Sequence, residues 1–272
     1  MLKQRVITAA VGIPLIIFVI RFGDPWFSLL IAVATLVGTF EFYHMANLDK
    51  GEPLIYFGLL WALALVLSPH YENISVSNVD ILPLAITLPT VISLVWLLFR
   101  SPQKEAFHNW TWMVAGVLYV GWMLSYWISL RLLENGRSWV YLPMFATFAN
   151  DTGAFFVGRK WGKHKLAFTI SPGKTWEGAL GGLLSAIVAS IAISRIPILF
   201  SPSPFSYWQA ILLGFLVSLF AQLGDLIESL LKRNMRVKES GKLLPGHGGI
   251  LDRFDSLIFV GAMVYYYAIW VM

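Results

Sequence analysis

Nine mostly apolar stretches, each near the length needed to cross a bilayer, constrain this chain more than anything else in it. They run over roughly 6–22, 26–43, 54–69, 79–99, 112–133, 138–157, 178–200, 207–231 and 254–272. About 20 apolar residues in a helix span the hydrocarbon layer. Lipid offers backbone groups no hydrogen-bond partner, so an apolar crossing of this kind pairs its own amides as a helix. The expected fold class is all-α: a polytopic integral membrane helix bundle with about nine transmembrane helices. Composition agrees, with 57% hydrophobic and 13% charged residues against roughly 25% charged in a soluble domain. The longest polar stretch, about 158–177, is too short to build its own core. A single integral membrane domain is therefore expected over 1–272. Its N-terminal spans occupy 1–137, and 138–272 holds the spans and cytoplasmic loops that carry the chemistry.

The basic residues orient the bundle. With the N-terminus in the cytoplasm and alternating spans, only Arg21, Arg131, Arg137 and Arg195 of the 20 Lys and Arg fall outside the cytoplasmic set. The positive-inside rule then places the N-terminus in the cytoplasm and the C-terminus outside, in the periplasm. Most of the cytoplasmic charge lies in the last two inner loops, around 158–177 and 232–253. The basic start MLKQR resembles a signal peptide, but no small-x-small site follows Ile20 and Arg21, so a retained first span is expected. Trp26, Trp96, Trp110, Trp112 and Trp139 sit where interface anchors belong. The net charge of +5 suits anionic partners at a membrane surface. No lysine-rich tail or aromatic RNA-binding box supports a nucleic-acid partner. With no cysteine, disulfides, thiolate catalysis, Cys-ligated zinc, palmitoylation and prenylation are excluded.

Ionisable residues inside spans are rare and usually functional. In the eighth stretch Gln222, Asp225, Ser229 and Lys232 are spaced three, four and three, which puts them on one helical face, with Glu228 beside them. Lys232 and Arg233 have an alternative as snorkelling residues at a helix end, whereas the carboxylate of Asp225 is too short for that. Asn150, Asp151 and Thr152 end the sixth stretch near the basic loop. Glu41 ends the second in the same way, and one carboxylate near an interface is unremarkable. GKT at 173–175 looks like the tail of a phosphate-binding P-loop, but Phe168 stands where the motif needs glycine. What remains is Ser171, Lys174 and Thr175 held by Pro172 and Gly173 before a helix, a setting that favours phosphate.

The stretch PGHGGILDRFDS, residues 245–256, gathers glycines, a histidine and charges at the mouth of the last span. Gly246, Gly248 and Gly249 free the backbone to form a concave anion site. Asp252 and Asp255, three apart, face one side of the helix; with Asp225 they form an oxygen-only set suited to magnesium. His247 is a ligand, a base, a hydrogen-bond donor or simply structural. Arg253 binds a phosphate or pairs with a carboxylate. Carboxylates, cations and glycine-rich backbone at one cytoplasmic mouth are what metal-assisted phosphoryl or nucleotidyl transfer requires, with one substrate coming from the lipid.

The same residues carry a family resemblance. SLLKRNMRVKESGKLLPGHGGILDRFD, residues 229–255, resembles the signature of the CDP-diacylglycerol synthases (phosphatidate cytidylyltransferases). The matching positions are Ser229, Lys232, Arg233, Lys238, Pro245, His247, Gly248, Gly249, Asp252, Arg253 and Asp255. NDTGAFFVGRKWGKHKL and SPGKTWEG, at 150–166 and 171–178, are similar to the family's two other blocks, and MLKQRVITA fits its bacterial members. One departure is Glu239, where the family usually has aspartate. The resemblance implies that CTP and phosphatidic acid give CDP-diacylglycerol and pyrophosphate with Mg2+. By analogy Asp225 and Asp252 bind the metal, and Lys174, Lys232, Arg233 and Arg253 steady phosphates. Asp151 and Asp255 support the metal shell or the lysines. Ser171, Ser229, His247, Gly248 and Gly249 complete the substrate-binding set, and Asp225, Asp252, Lys174 and Asp255 the catalytic one. It also implies a bacterial inner membrane, a site facing the cytoplasm and, plausibly for the family, a homodimer. Two rivals are a CTP-dependent lipid-alcohol kinase and a transporter. The Asp-Gly-x-x-Ala-Arg motif of phosphatidyltransferases is absent.

Overall fold

In a computed structural model, the described residues are 12, 14–48, 53–71, 81–100, 103–196, 205–241 and 248–272. Pro245, Gly246 and His247 of the glycine-rich stretch lie outside them, as do Lys3, Arg5, Lys50 and Lys242. The apolar runs fall on helices. A first helix, α1, covers 14–22. It is followed by α2 (Trp26–Met45), α3 (Pro53–Leu67) with a 3-10 turn (Ser68–Tyr71), and α4 (Ile81–Leu97). The fifth run becomes one rod: α5 (Gln103–Gly116), a π-helical segment (Val117–Trp122) and α6 (Met123–Leu132). Then come α7 (Gly136–Trp161), α8 (Trp176–Ser194), α9 (Tyr207–Asn234) and α10 (Leu251–Val271). Among the described residues, six helices are long and apolar enough to cross a membrane: α2, α3 with its 3-10 turn, the α5–α6 rod, α8, α9 and α10. The helix α4 is shorter, and α7 carries too many polar residues to be counted with them.

The inner loop after α7 is more ordered than its composition suggests. The helix runs on to Trp161, and 165–175 folds into an antiparallel hairpin of β1 (Lys165–Ala167) and β2 (Ser171–Thr175). Extended Thr175 ends β2 and caps α8, its hydroxyl accepting from the Gly178 N–H at 3.1 Å. Such a cap satisfies one of the helix's orphan donors. Ser206 and Gln209 form a reciprocal capping box that starts α9.

Packing is sequential in the second half: α7 lies along α8, α8 against α9, and α9 against α10, which returns to α6. Small residues let these helices approach, as they do where helices pack in lipid. A Cβ at Gly181 would strike Val157, and one at Gly224 would strike the Asp255 carbonyl. The opposite face of α8 carries Leu180, Leu184 and Val188, all exposed and four apart, which suits a lipid-facing stripe. Long-range donors tie the halves together. Trp127 Nε1 donates to the Leu257 carbonyl at 3.0 Å and the Tyr141 hydroxyl to the Ile17 carbonyl at 2.9 Å, while within the first half the Tyr43 hydroxyl donates to the Met113 carbonyl at 3.0 Å. The anchor role expected for Trp139 fails, because it is 5% exposed and packs edge-on against Phe205. Trp26 remains exposed.

Candidate active site

Two polar clusters meet where α7, α9 and α10 converge on the hairpin. The first lines a cavity of about 360 Å³ bounded by Asn150, Asp151, Gly158, Arg159, Lys174, Gln222 and Asp225, among others. The hairpin swings Lys174 over α9, so that its Nζ lies 2.7 Å from Asp225 Oδ2. The other oxygen, Oδ1, has Ser229 Oγ at 3.5 Å, the outer limit of a hydrogen bond. The cavity floor is an amide network. Buried Asn150 Oδ1 accepts from Ser218 Oγ at 2.7 Å and from Gln222 Nε2 at 3.2 Å. Asn150 Nδ2 donates to Asp151 Oδ1 at 3.0 Å, and Gln222 Nε2 also reaches the Ala179 carbonyl at 3.1 Å. These contacts lock three helices in one register and aim Asp151, itself exposed, at the cavity.

The second cluster surrounds Asp252. Its Oδ1 takes Lys232 Nζ at 2.6 Å, and the same lysine lies 3.1 Å from Glu228 Oε1 one turn back on α9. The other oxygen, Oδ2, accepts from the Ser240 N–H at 2.9 Å and the Gly249 N–H at 2.9 Å, and lies 3.0 Å from the Ser240 hydroxyl, whose one proton it shares with Glu41 Oε2 at 3.0 Å. Glu228 is 0% exposed, a burial tolerable only because Lys232 accompanies it. Gly248 has a φ of +81° and passes against Asp252 Oδ2, where a side chain would be both strained and crowded. From α2, Glu41 reaches Ser240 and the first turn of α10.

The close approach at Gly224 brings Asp255 beside Asp225, so that the two carboxylates interact electrostatically, and Asp151 joins them. The expected set of Asp151, Lys174, Asp225, Ser229, Lys232, Asp252 and Asp255 is thus brought together. Arg253 stands exposed on the first turn of α10. Three expectations fare differently. Ser171 opens β2 away from the cavity lining. Arg233 Nε donates to the Ile170 carbonyl at 3.2 Å, so it braces the hairpin against α9. His247 lies outside the described residues. Among the described residues no group of three or more His, Asp or Glu surrounds a common metal position. Oxygen donors in pairs still suit magnesium, which keeps waters and takes other ligands from substrate phosphates.

Sequence reasoning passed over Ser240 and Ser218, and left Glu41 open between a functional role and a polar helix end. For Glu41 the available signal was a carboxylate ending an apolar run. Lys163 proves to contribute its backbone, with its N–H donating to Glu177 Oε2 at 3.0 Å.

A sequence model described as "Cytidylyltransferase family" matches residues 3–271. The chain is 33% identical to the phosphatidate cytidylyltransferase of Bacillus subtilis (strain 168) over 266 residues, covering 97% of each. It is 33% identical to the enzyme of that name from Staphylococcus haemolyticus, over 95% of this chain and 96% of the relative. Against the one from Synechocystis it is 31% identical, over 98% of this chain and 96% of the relative.

Proposed function

Because the chain belongs to the cytidylyltransferase family, we propose that these two joined clusters carry its chemistry, the transfer of the cytidylyl group of CTP to phosphatidate. The enzyme is a phosphatidate cytidylyltransferase of phospholipid synthesis, giving CDP-diacylglycerol and pyrophosphate. A phosphate oxygen of phosphatidate attacks the α-phosphorus of CTP. That P–O bond forms as the bond from the α-phosphorus to the bridging oxygen breaks, and pyrophosphate carries the electron pair away. The nucleophile is already ionised, so no strong base is needed and positioning and charge do the work. The observation that carries this reading is the Lys174–Asp225 pair on the cavity wall. It supplies a cation for phosphate beside a carboxylate for metal. Lys232, Arg233 and Arg253 add positive charge at the same mouth.

Asp225 and Asp255 are our metal-holding pair. Asp225 is 36% exposed and its Oδ1 is lightly engaged; Asp255, whose Oδ1 accepts from the Ser256 N–H at 2.6 Å, is near enough for the two charges to interact. Asp252, expected as a ligand from the resemblance, has both oxygens committed to protein donors, which better suits holding the glycine-rich turn. A bound Mg2+ would neutralise phosphate oxygens and favour departure of pyrophosphate. The basic bias supports nine crossings in a bacterial inner membrane, with the cavity open to the cytoplasm.

The test uses purified protein in detergent–phosphatidate micelles with Mg2+ and CTP labelled on the α-phosphate. Labelled lipid that disappears with a chelator is the expected result. Label transferred only from the γ-phosphate would make the enzyme a lipid kinase. No transfer, with substrate flux in sealed vesicles, would make the chain a transporter.

A further inference from the structure

Glu41 lies on α2, in the half of the chain to which no chemistry had been attached, yet its carboxylate serves the other half. Oε1 accepts from the Ile250 N–H at 3.0 Å. Oε2 accepts from the Leu251 N–H at 2.9 Å and lies 3.0 Å from the Ser240 hydroxyl, whose single proton also faces Asp252 Oδ2 at 3.0 Å. Two of those donors belong to the first turn of α10, where N–H groups lack intrahelical partners and negative charge is favoured. The residue is 6% exposed, so its charge depends on these contacts. Gly241 and Gly249 pack so closely on the carboxylate that a Cβ on either would collide with it. Ser240 passes the link onward to Asp252, and Asp252 to Lys232.

The geometry points to Glu41 as a positioning residue that sets the first turn of α10 against α9, and so aims Asp255 and the Asp252–Lys232 pair at the reacting phosphates. This inference rests on the cytidylyltransferase reading for its chemistry, though not for its geometry. A merely structural anchor would change how much protein folds and leave the turnover of each folded molecule alone.

The test compares wild type with Glu41→Gln, Glu41→Ala, Ser240→Ala and the Glu41→Gln/Ser240→Ala pair, all as full-length protein in phosphatidate micelles with Mg2+ and CTP. Glu41→Gln keeps the shape and fills the space that the alanine variant would empty, and because its amide opposes some of the donors, kcat and exchange are read per folded molecule. Its kcat should fall about 10-fold or more while KM for CTP stays within about 3-fold. Amide exchange at Ile250 and Leu251 should quicken about 10-fold. The double variant should be no worse than the poorer single one by more than about 2-fold, since both act through one link. Wild-type kcat in Glu41→Gln, unchanged exchange at Ile250 and Leu251, or losses confined to the yield of folded protein would each overturn the inference. A wild type that makes no labelled lipid would overturn the cytidylyltransferase reading instead, and the exchange data would then decide the geometric claim.

Discussion

Replacing Asp252 with asparagine should damage stability as well as turnover, while the same change at Asp225 should damage turnover almost alone. The donors on Asp252 come from two sides: the Ser240 and Gly249 N–H groups, with the Ser240 hydroxyl shared with Glu41, on one, and Lys232 on the other. An asparagine must turn its NH2 toward one side. Facing the loop, it opposes two backbone N–H groups; facing α9, it opposes an ammonium. A hydrogen bond to a charged group contributes about 1.5–3 kcal/mol, and an orphaned buried charge costs about 3–5 kcal/mol. Lys232 keeps Glu228 at 3.1 Å, so the cost should be about 2–4 kcal/mol, below the full orphan penalty. At about 2–4 °C per kcal/mol for a chain of this size, Tm should fall by roughly 4–16 °C. Asp225 is 36% exposed and has one ion pair, with a Lys174 that is 23% exposed; a pair that still reaches solvent is worth about 1 kcal/mol or less, so its Tm should move by less than about 4 °C. Both variants should lose about 100-fold or more in turnover. Tryptophan fluorescence gives the melts in detergent, and labelled CDP-lipid formation gives turnover below the lower Tm. Equal Tm losses in the two variants, or an unperturbed Asp252→Asn melt, would refute the division of labour.

Lys174→Ala should lower turnover about 100-fold by removing the cation beside Asp225, whereas Lys163→Ala should cost less than about 3-fold because its contact with Glu177 is made by the backbone; the labelled-lipid assay ranks them. Asn150→Ala strips the acceptor of Ser218 and Gln222 from a site 1% exposed. It should destabilise by about 1–3 kcal/mol, read from the same melts.

Much of the site was legible because its parts repeat along single helices. The three-four-three spacing of Gln222, Asp225, Ser229 and Lys232 placed them on one face of α9, and the structure turns that face toward α7, α8 and α10. Asp252 and Asp255 shared a face by the same reasoning, but spacing does not tell which carboxylate oxygens the backbone has already claimed. That depends on the turn at Gly248 and Gly249, which is a tertiary fact. The hairpin at 165–175 escaped notice because Lys-rich, Pro- and Gly-containing sequence reads as loop, and its order comes from Arg233 and Glu177 bracing it from neighbouring helices. The role of Glu41 was left open because its partners are 199 to 210 residues away, beyond the reach of any periodicity. Trp139 was misread for a related cause, since Phe205 and Tyr267, which cover it, come from later in the chain.

The contact between Glu41 and the start of α10 also has a history within each molecule's synthesis. Chains emerge N-terminus first, so α2 is made long before Ile250 and Leu251 exist to receive its carboxylate. Until then Glu41 needs water or headgroups as partners, which favours holding the end of α2 at the bilayer surface rather than deep within it. Joining it to residue 251 closes a loop of 210 residues, a late event by its entropy. The reacting centre is thus assembled by the final helix, and a nascent chain stalled before α10 would sit in the membrane without the power to consume CTP.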